Sequence, residues 1–142
     1  MDIVGEIELQ LDAVSTAIDT AWIAILQEAD SEGKSIDVTA GFLRAGLREV
    51  DESKSRIGAP VLPCRNFKPI PVGEKVQYRI PLVPNARRFK AGSKIRLLIS
   101  GDDRSKEVPA LNEFRHGSIG INCLSKILSS SRLLLPVVTG LV

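Results

Sequence analysis

The chain has 142 residues, of which 44% are hydrophobic and 25% are charged, and its formal net charge is +2. This length suits one domain with a core of its own, and the composition is ordinary for a globular protein. So small a net charge gives no reason to expect a nucleic acid or a membrane surface as a partner. We therefore expect one domain spanning residues 1–142.

The sequence also bears on the compartment. Its N-terminal residues do not resemble a secretory signal, because Asp2, Glu6 and Glu8 interrupt the apolar residues and no basic residue precedes them. No apolar run approaches the roughly 20 residues that a membrane-spanning helix needs. Cys64 and Cys123 are far apart and do not form a disulfide framework. These features predict a reducing, cytoplasmic location.

The first third of the chain predicts β-strands. Apolar and polar residues alternate over residues 6–13, as they do in a strand with one buried face. Residues 20–29 are almost wholly apolar, and the turn residues 30–34 separate them from renewed alternation at 36–38. A strand, a turn and a strand fit this order best. Residues 40–50 remain open between a strand bent at its glycines and a helix.

The middle of the chain changes character. Residues 51–75 are Pro-rich, which excludes a long regular element, and we expect this loop to cross between two sheets. Alternation returns at residues 76–82 and 94–100, and in the second of these segments Ile95, Leu97 and Ile99 are predicted to face inward. Turns are predicted between these strands, at residues 84–86 and 91–92.

The last third predicts two more strands, at residues 119–124 and 132–138, after a polar and irregular segment at 101–118. The total of seven or eight short strands separated by turns predicts an all-β sandwich or barrel. Trp22 and Tyr78 fall in strand patterns that place them in the core.

The sequence gives little support for a metal site or for a phosphate-binding loop. His116 is the only histidine, and its spacing from Cys64 and Cys123 matches no metal-site pattern, so no metal site is predicted. Residues 28–35 imitate a phosphate-binding loop, but Glu28 replaces the first glycine and acidic residues stand where phosphate would bind. Gly33 is instead predicted to be the turn residue of a hairpin.

A serine motif invites a catalytic interpretation. Residues 116–120 resemble the nucleophile elbow Gly-x-Ser-x-Gly, with His116 in the place of the first glycine. The elbow needs a strand-to-helix turn, whereas the residues after Ser118 alternate as in a strand. A histidine two residues before Ser118 is also badly placed to act as its general base. We therefore expect no catalysis by Ser118.

Charged clusters are predicted to be solvated. Asp102 and Asp103 stand beside Gly101 and Arg104 in a segment that looks like a turn. The basic residues within 87–96 have almost no aromatic neighbours on which bases could stack, so a solvated sheet face explains them better than nucleic-acid binding.

The order of the segments resembles one known family. Residues 4–11 are similar to its opening strand, and residues 20–33 match an apolar strand followed by an Asp-and-Gly turn. The remaining matching segments are residues 40–48, 71–76, 80–84, 89–100 and 131–138. Over most of residues 2–138 the chain thus resembles the C-terminal domain of the X-Pro dipeptidyl-peptidase and cocaine-esterase group of α/β-hydrolases. It departs from the family at Ser93, where histidine is frequent, and in the segments 51–70 and 101–118.

The resemblance implies a jelly-roll β-sandwich similar to galactose-binding domains, in a fragment of a larger hydrolase. In such enzymes the catalytic serine, aspartate and histidine belong to a preceding α/β-hydrolase domain. None of those positions exists here, so no catalytic residue and no cofactor is expected. The implied partner is the hydrolase domain of the parent chain, on which this module would pack and whose active-site cleft it would help to shape.

The predicted cleft or interface loop is the polar segment 101–118, represented by Asp102, Asp103, Arg104 and His116. A homo-oligomer stays open as a further partner. The alternative function is a free-standing carbohydrate- or ligand-binding β-sandwich. It is disfavoured because only 4% of the residues are aromatic, and sugar sites usually present exposed aromatic rings.

Overall fold

The computed structural model describes residues 1–101 and 118–140. These residues form seven strands: β1 (Asp2–Ser15), β2 (Ala21–Ala29), β3 (Ser35–Arg44), β4 (Lys75–Arg88), β5 (Lys94–Ser100), β6 (Ser125–Ile127) and β7 (Arg132–Leu134). One 3₁₀ turn, Ala45–Leu47, follows β3. In this part of the chain no helix has the length and apolarity needed to cross a membrane. The all-β prediction is confirmed.

The sheet consists of two halves that face each other. Its strand order is β5-β2-β3-β4-β1-β6, with β7 also paired to β1. β3 and β4 are paired only through Gly41 and Leu82, so this point separates β5-β2-β3 from the other strands. The rings of Trp22 in β2 and Tyr78 in β4 nevertheless lie 5.6 Å apart, centroid to centroid, because the sheet curls over a common core. The β-sandwich prediction is confirmed, whereas the jelly-roll and galactose-binding-like assignments stay predictions.

The Pro-rich loop connects the two halves of one curled sheet, whereas the sequence predicted a crossing between two separate sheets. Residues 48–74 contain turns but neither helix nor strand, and they lead from β3 in one half to β4 in the other. The sequence left residues 40–50 open between a strand and a helix. The structure shows a strand as far as Arg44, followed by the single 3₁₀ turn.

The two N-terminal strands supply much of the core. Ile7, Leu9 and Leu11 of β1 are buried, as their alternation predicted. The opposite side of β1 is covered too: Glu8 accepts a hydrogen bond from the Gly58 N–H, and Asp12 accepts one from Ser130 Oγ. All nine residues of β2 are buried. The sequence predicted one buried face for β1 and so underestimated its burial, because distant loops cover its outer face as well.

The turn predicted at residues 84–86 is wrong, because β4 continues to Arg88. Ile7 pairs with Leu82 and Gly5 pairs with Asn85, which leaves two residues of β4, Val83 and Pro84, opposite one residue of β1. This is a β-bulge, and bulges accommodate proline because it cannot donate a hydrogen bond to the strand ladder. The other predicted turn, at residues 91–92, is confirmed.

Three predictions about the later strands are also corrected. The strand predicted at residues 132–138 is shorter, since β7 spans only Arg132–Leu134. Residues 119–124 do not form a strand: only Ile119 makes an isolated bridge, to Asp19, and β6 begins at Ser125. The chain turns here because Asn122 has a left-handed φ of 50° and Gly120 a φ of 151°. In β5, Leu97 and Ile99 pack on the core as predicted, but Ile95 is exposed.

Candidate functional site

The residues predicted to border a cleft or interface, Asp102, Asp103, Arg104 and His116, lie outside the described residues. The residues that flank them are described and lie close together. Ser118 Oγ is 2.8 Å from Thr20 Oγ1. A Cβ added at Gly101 would lie 3.8 Å from the carbonyl oxygen of Ala21. The chain therefore enters and leaves the predicted loop at the start of β2.

This end of the sandwich, which we call the Asp19 end, gathers the two long connections, the Pro-rich one after β3 and the one after β5, together with the short β1–β2 loop. Here β1 passes into β2 through residues 16–20, β3 passes into the Pro-rich connection, and β5 ends. Ala21 pairs with Arg44, and Val14 pairs with Lys75, so the strand ends lie side by side. The opposite end has the short turns 30–34 and 89–93. Functional contacts on a rigid sandwich are commonly made by its longer loops, which makes the Asp19 end the candidate site.

A buried carboxylate joins the segments at this end. Asp19 Oδ2 accepts a hydrogen bond from Arg44 Nε at 2.6 Å, and Asp19 Oδ1 accepts one from the Gly46 N–H at 2.8 Å. The carbonyl oxygen of Asp19 accepts a further bond from the Ile119 N–H at 2.9 Å. One residue thus holds the β1–β2 loop, the end of β3 and the segment after residue 118 in fixed positions.

Apolar side chains are exposed around this carboxylate. Ile121 is 91% exposed and Leu124 is 74% exposed, and Ile18, Ile119 and Phe67 are each about half exposed. We call these five residues the Ile121 surface. Backbone hydrogen bonds link the β1–β2 loop to the segment after residue 118: Ile18 N–H donates to the Ile119 carbonyl, and Thr16 N–H donates to the Leu124 carbonyl. Such a surface can bind another protein through apolar contact.

Phe67 is held on this surface by two neighbours. The guanidinium of Arg44 lies 5.6 Å from the centroid of its ring, within the range of a cation–π contact. A Cβ added at Gly46 would clash with Phe67 Cε2, so the ring occupies the space that a side chain at position 46 would fill.

The buried carboxylates elsewhere in the described residues have structural roles. Glu28 accepts hydrogen bonds from the Lys90 N–H, Arg87 and Ser93 Oγ, and these lower its pKa to about 2. Asp12 also has its pKa lowered to about 2, chiefly by Lys75 and Ser130. A general acid needs a pKa near the operating pH, so both groups are unsuited to that role and instead fix strands and turns in place.

Glu8 resembles them. Burial raises the pKa of its carboxyl, but hydrogen bonds from Arg79 and the Gly58 N–H outweigh burial and bring the pKa below its usual range. Next to it, a cleft of about 410 Å³ is lined by Gln10, Glu52, Ser55, Arg56, Ile57, Gln77 and Arg79. These residues include no aromatic ring. Arg79 already donates to Glu8 and to the carbonyl of Arg56, and it contacts Glu52.

Parts of the motifs set aside in the sequence lie within the described residues. Ser118 Oγ is paired with the Thr20 hydroxyl, and Ile119 follows it as a bridge rather than as the start of a helix, unlike the elbow of a hydrolase. Gly33 has a φ of 85° in the β2–β3 turn, which confirms its role in a hairpin. Cys64 and Cys123 are both free thiols.

Sequence reasoning did not find the Ile121 surface. It assigned residues 119–124 to a strand, not to an exposed turn. The available signal was the pair Gly120 and Asn122, which are two of the residue types that adopt positive φ most readily.

Comparisons with known proteins agree with this architecture. A family model described as the X-Pro dipeptidyl-peptidase C-terminal non-catalytic domain matches residues 1–115. Two proteins named as candidate serine esterases, from Mycobacterium bovis and Mycobacterium tuberculosis, are each 29% identical over 114 residues, or 74% of this chain. Two crystal structures of a CocE/NonD family hydrolase from Staphylococcus aureus match 96% and 97% of this chain, with TM-scores of 0.82 and 0.81 and identities of 22% and 21%.

The β-sandwich and the family match define a non-catalytic domain of the kind that accompanies hydrolases. The chain belongs to the family of X-Pro dipeptidyl-peptidase C-terminal non-catalytic domains. The resemblance seen in the sequence is thereby confirmed. The chain spans 17% of the length of the mycobacterial relatives and 28% of the staphylococcal hydrolase.

Proposed function

We propose that this chain is the C-terminal non-catalytic module of a serine hydrolase, of the acyl-esterase or X-Pro dipeptidyl-peptidase type. In this proposal residues 1–142 form one domain of a larger cytoplasmic protein. The module packs on the α/β-hydrolase domain and shapes the edge of its active-site cleft. The observation that carries the proposal is the family match over residues 1–115.

The geometry of the Asp19 end supports this role. The segment with Asp102, Asp103, Arg104 and His116 leaves and rejoins the described chain at this end. We propose that these four residues border the cleft of the hydrolase domain. The buried Asp19 fixes the neighbouring loops, so the domain presents them from a rigid scaffold.

A free-standing carbohydrate-binding module is the weaker candidate. The cleft beside Glu8 has no aromatic side chain in its lining, and the guanidinium of Arg79 is already bonded within the chain. These lining residues therefore offer no ring on which a sugar could stack. No described feature favours this alternative over the accessory role.

The proposal is tested with the α/β-hydrolase domain encoded directly upstream of this chain. The two polypeptides are purified separately, mixed and run on gel filtration, and ester and X-Pro amide hydrolysis is measured with and without the chain. We expect a 1:1 complex and a changed KM, because a module at the edge of the cleft alters how substrate is held. Separate elution with unchanged kcat and KM, or an upstream region without a hydrolase, would show that the proposal is wrong.

A further inference from the structure

The Ile121 surface is exposed in a way that folding of this domain does not explain. Ile121 and Leu124 lie on a turn rather than on a strand, and their side chains are 91% and 74% exposed. Scattered single apolar residues are normal on a protein surface, but here Ile18, Ile119 and Phe67 stand beside them. A group of neighbouring exposed apolar side chains indicates an interaction site.

The turn that carries these side chains is ordered by contacts with its neighbours. Leu124 N–H donates to Thr16 Oγ1 at 2.9 Å, and the Leu124 carbonyl accepts from the Thr16 N–H at 2.9 Å. A Cβ added at Gly120 would lie 2.8 Å from Cys123 Sγ, so the turn is closely packed. An ordered surface loses less conformational entropy on binding than a flexible one, which favours association.

The charge around the turn points to the kind of partner. The five side chains of the surface carry no charge of their own. The Arg44 guanidinium that lies over the Phe67 ring is bonded through its Nε to the buried Asp19. Burying this surface stabilises a complex only against a largely apolar partner surface, because a charged partner would lose hydration without gaining an ion pair.

We propose that the Ile121 surface is the part of this domain that docks on the α/β-hydrolase domain of the parent protein. This inference rests on the function proposed above. The lengths of the relatives favour that occupant over a second copy, since the chain accounts for 17% of the esterases and 28% of the staphylococcal hydrolase. Most of each of these proteins lies outside the part that matches this chain. That remainder is therefore available as a surface on which the β-sandwich packs.

The test compares two variants of the chain in binding to the upstream hydrolase domain by calorimetry. One variant carries Ile121→Ser with Leu124→Ser, and the control carries Ile57→Ser, which alters an 85% exposed isoleucine on the turn beside Glu8. We expect the double variant to bind at least about tenfold more weakly, because central apolar contacts dominate interfaces. The control should bind within about twofold of the wild type. Circular dichroism checks that each variant is folded.

A second measurement needs no substitution. Amide hydrogen exchange of residues 118–124 in the wild-type chain should slow when the hydrolase domain is added, whereas exchange at residues 56–59 should not change. If the hydrolase binds and neither the variants nor the exchange implicates residues 118–124, the inference is wrong and the accessory function stands. If the wild-type chain does not bind the hydrolase, the accessory function itself is wrong. If serine substitution abolishes self-association and leaves hydrolase binding intact, a second copy occupies the surface instead.

Discussion

Gly41 lies where the two halves of the sheet meet, and its missing side chain allows the contact. A Cβ at this position would lie 2.4 Å from the carbonyl oxygen of Pro81 and 3.0 Å from Leu82 Cα. Both obstacles are backbone atoms, which cannot move aside as a flexible side chain can. We therefore predict that Gly41→Ala destabilises the domain by about 1–3 kcal/mol, measured by urea unfolding.

Gly101→Ala is the matched control, since among residues 1–101 and 118–140 its new Cβ would make only an ordinary contact, at 3.8 Å from the Ala21 carbonyl oxygen. Its unfolding free energy should stay within about 0.5 kcal/mol of the wild type. Equal effects of the two substitutions would show that β3 and β4 are not in close contact at Gly41.

Glu28 is expected to make the free energy of unfolding depend on pH. Its pKa is about 2 in the folded chain against an ordinary value of 4.5, chiefly because the Lys90 N–H and Arg87 bond to its ionised form. A carboxyl with a lowered pKa stabilises the fold above its unfolded pKa, and that contribution is lost as the pH falls from about 4.5 towards 2. We predict that the urea midpoint falls less steeply over this range in Glu28→Gln than in the wild type. Parallel pH profiles would contradict the hydrogen-bonding role of Glu28.

Among the elements, the Pro-rich connection is tied to the sheet at several points, and one of them is the buried ion pair of Arg79 with Glu8. Arg79 on β4 donates to the buried Glu8 on β1 and to the carbonyl of Arg56, while Glu8 accepts from the Gly58 N–H. Removing Arg79 leaves a buried carboxylate without its main partner. We predict that Arg79→Leu costs about 3–5 kcal/mol in unfolding free energy and increases proteolysis within residues 51–61.

The pair between Arg88 and Asp2 provides a comparison on the same two strands. The Arg88 side chain is 79% exposed against 16% for Arg79. Exposed pairs contribute little because water and salt screen them, so Arg88→Leu should cost less than about 1 kcal/mol. Similar costs for the two substitutions would mean that the Arg79 pair does not hold the connection in place.

The accuracy of the sequence predictions differs from element to element for physical reasons. β1 and β2 are recognisable because burial of one or both faces imposes a pattern on adjacent residues. A turn was wrongly predicted at Pro84 because the place of this proline in a strand depends on a bulge opposite β1. That strand lies about 80 residues away in sequence. A strand was wrongly predicted at residues 119–124 because the backbone groups of this segment bond to the β1–β2 loop. No local sequence pattern shows that this distant loop is their hydrogen-bond partner.

For the molecule as a whole, the two ends of the sandwich are unlike. At one end, short turns are fixed by Glu28 and by the pair of Asp2 with Arg88. At the Asp19 end, long connections converge and apolar side chains remain exposed.

The family resemblance was recognisable from the sequence because strand and turn segments recur in a fixed order. The interaction surface was not, because it is assembled from segments separated by as many as 100 residues.

We propose that this domain assists a hydrolase and has no catalytic serine of its own. The most direct measurement treats the purified chain with a fluorophosphonate probe, which reacts with activated serines, and reads its intact mass. We predict no added mass on this chain, while the upstream hydrolase domain treated in parallel gains one probe per molecule. Stoichiometric labelling of the chain, above all at Ser118, would contradict the account.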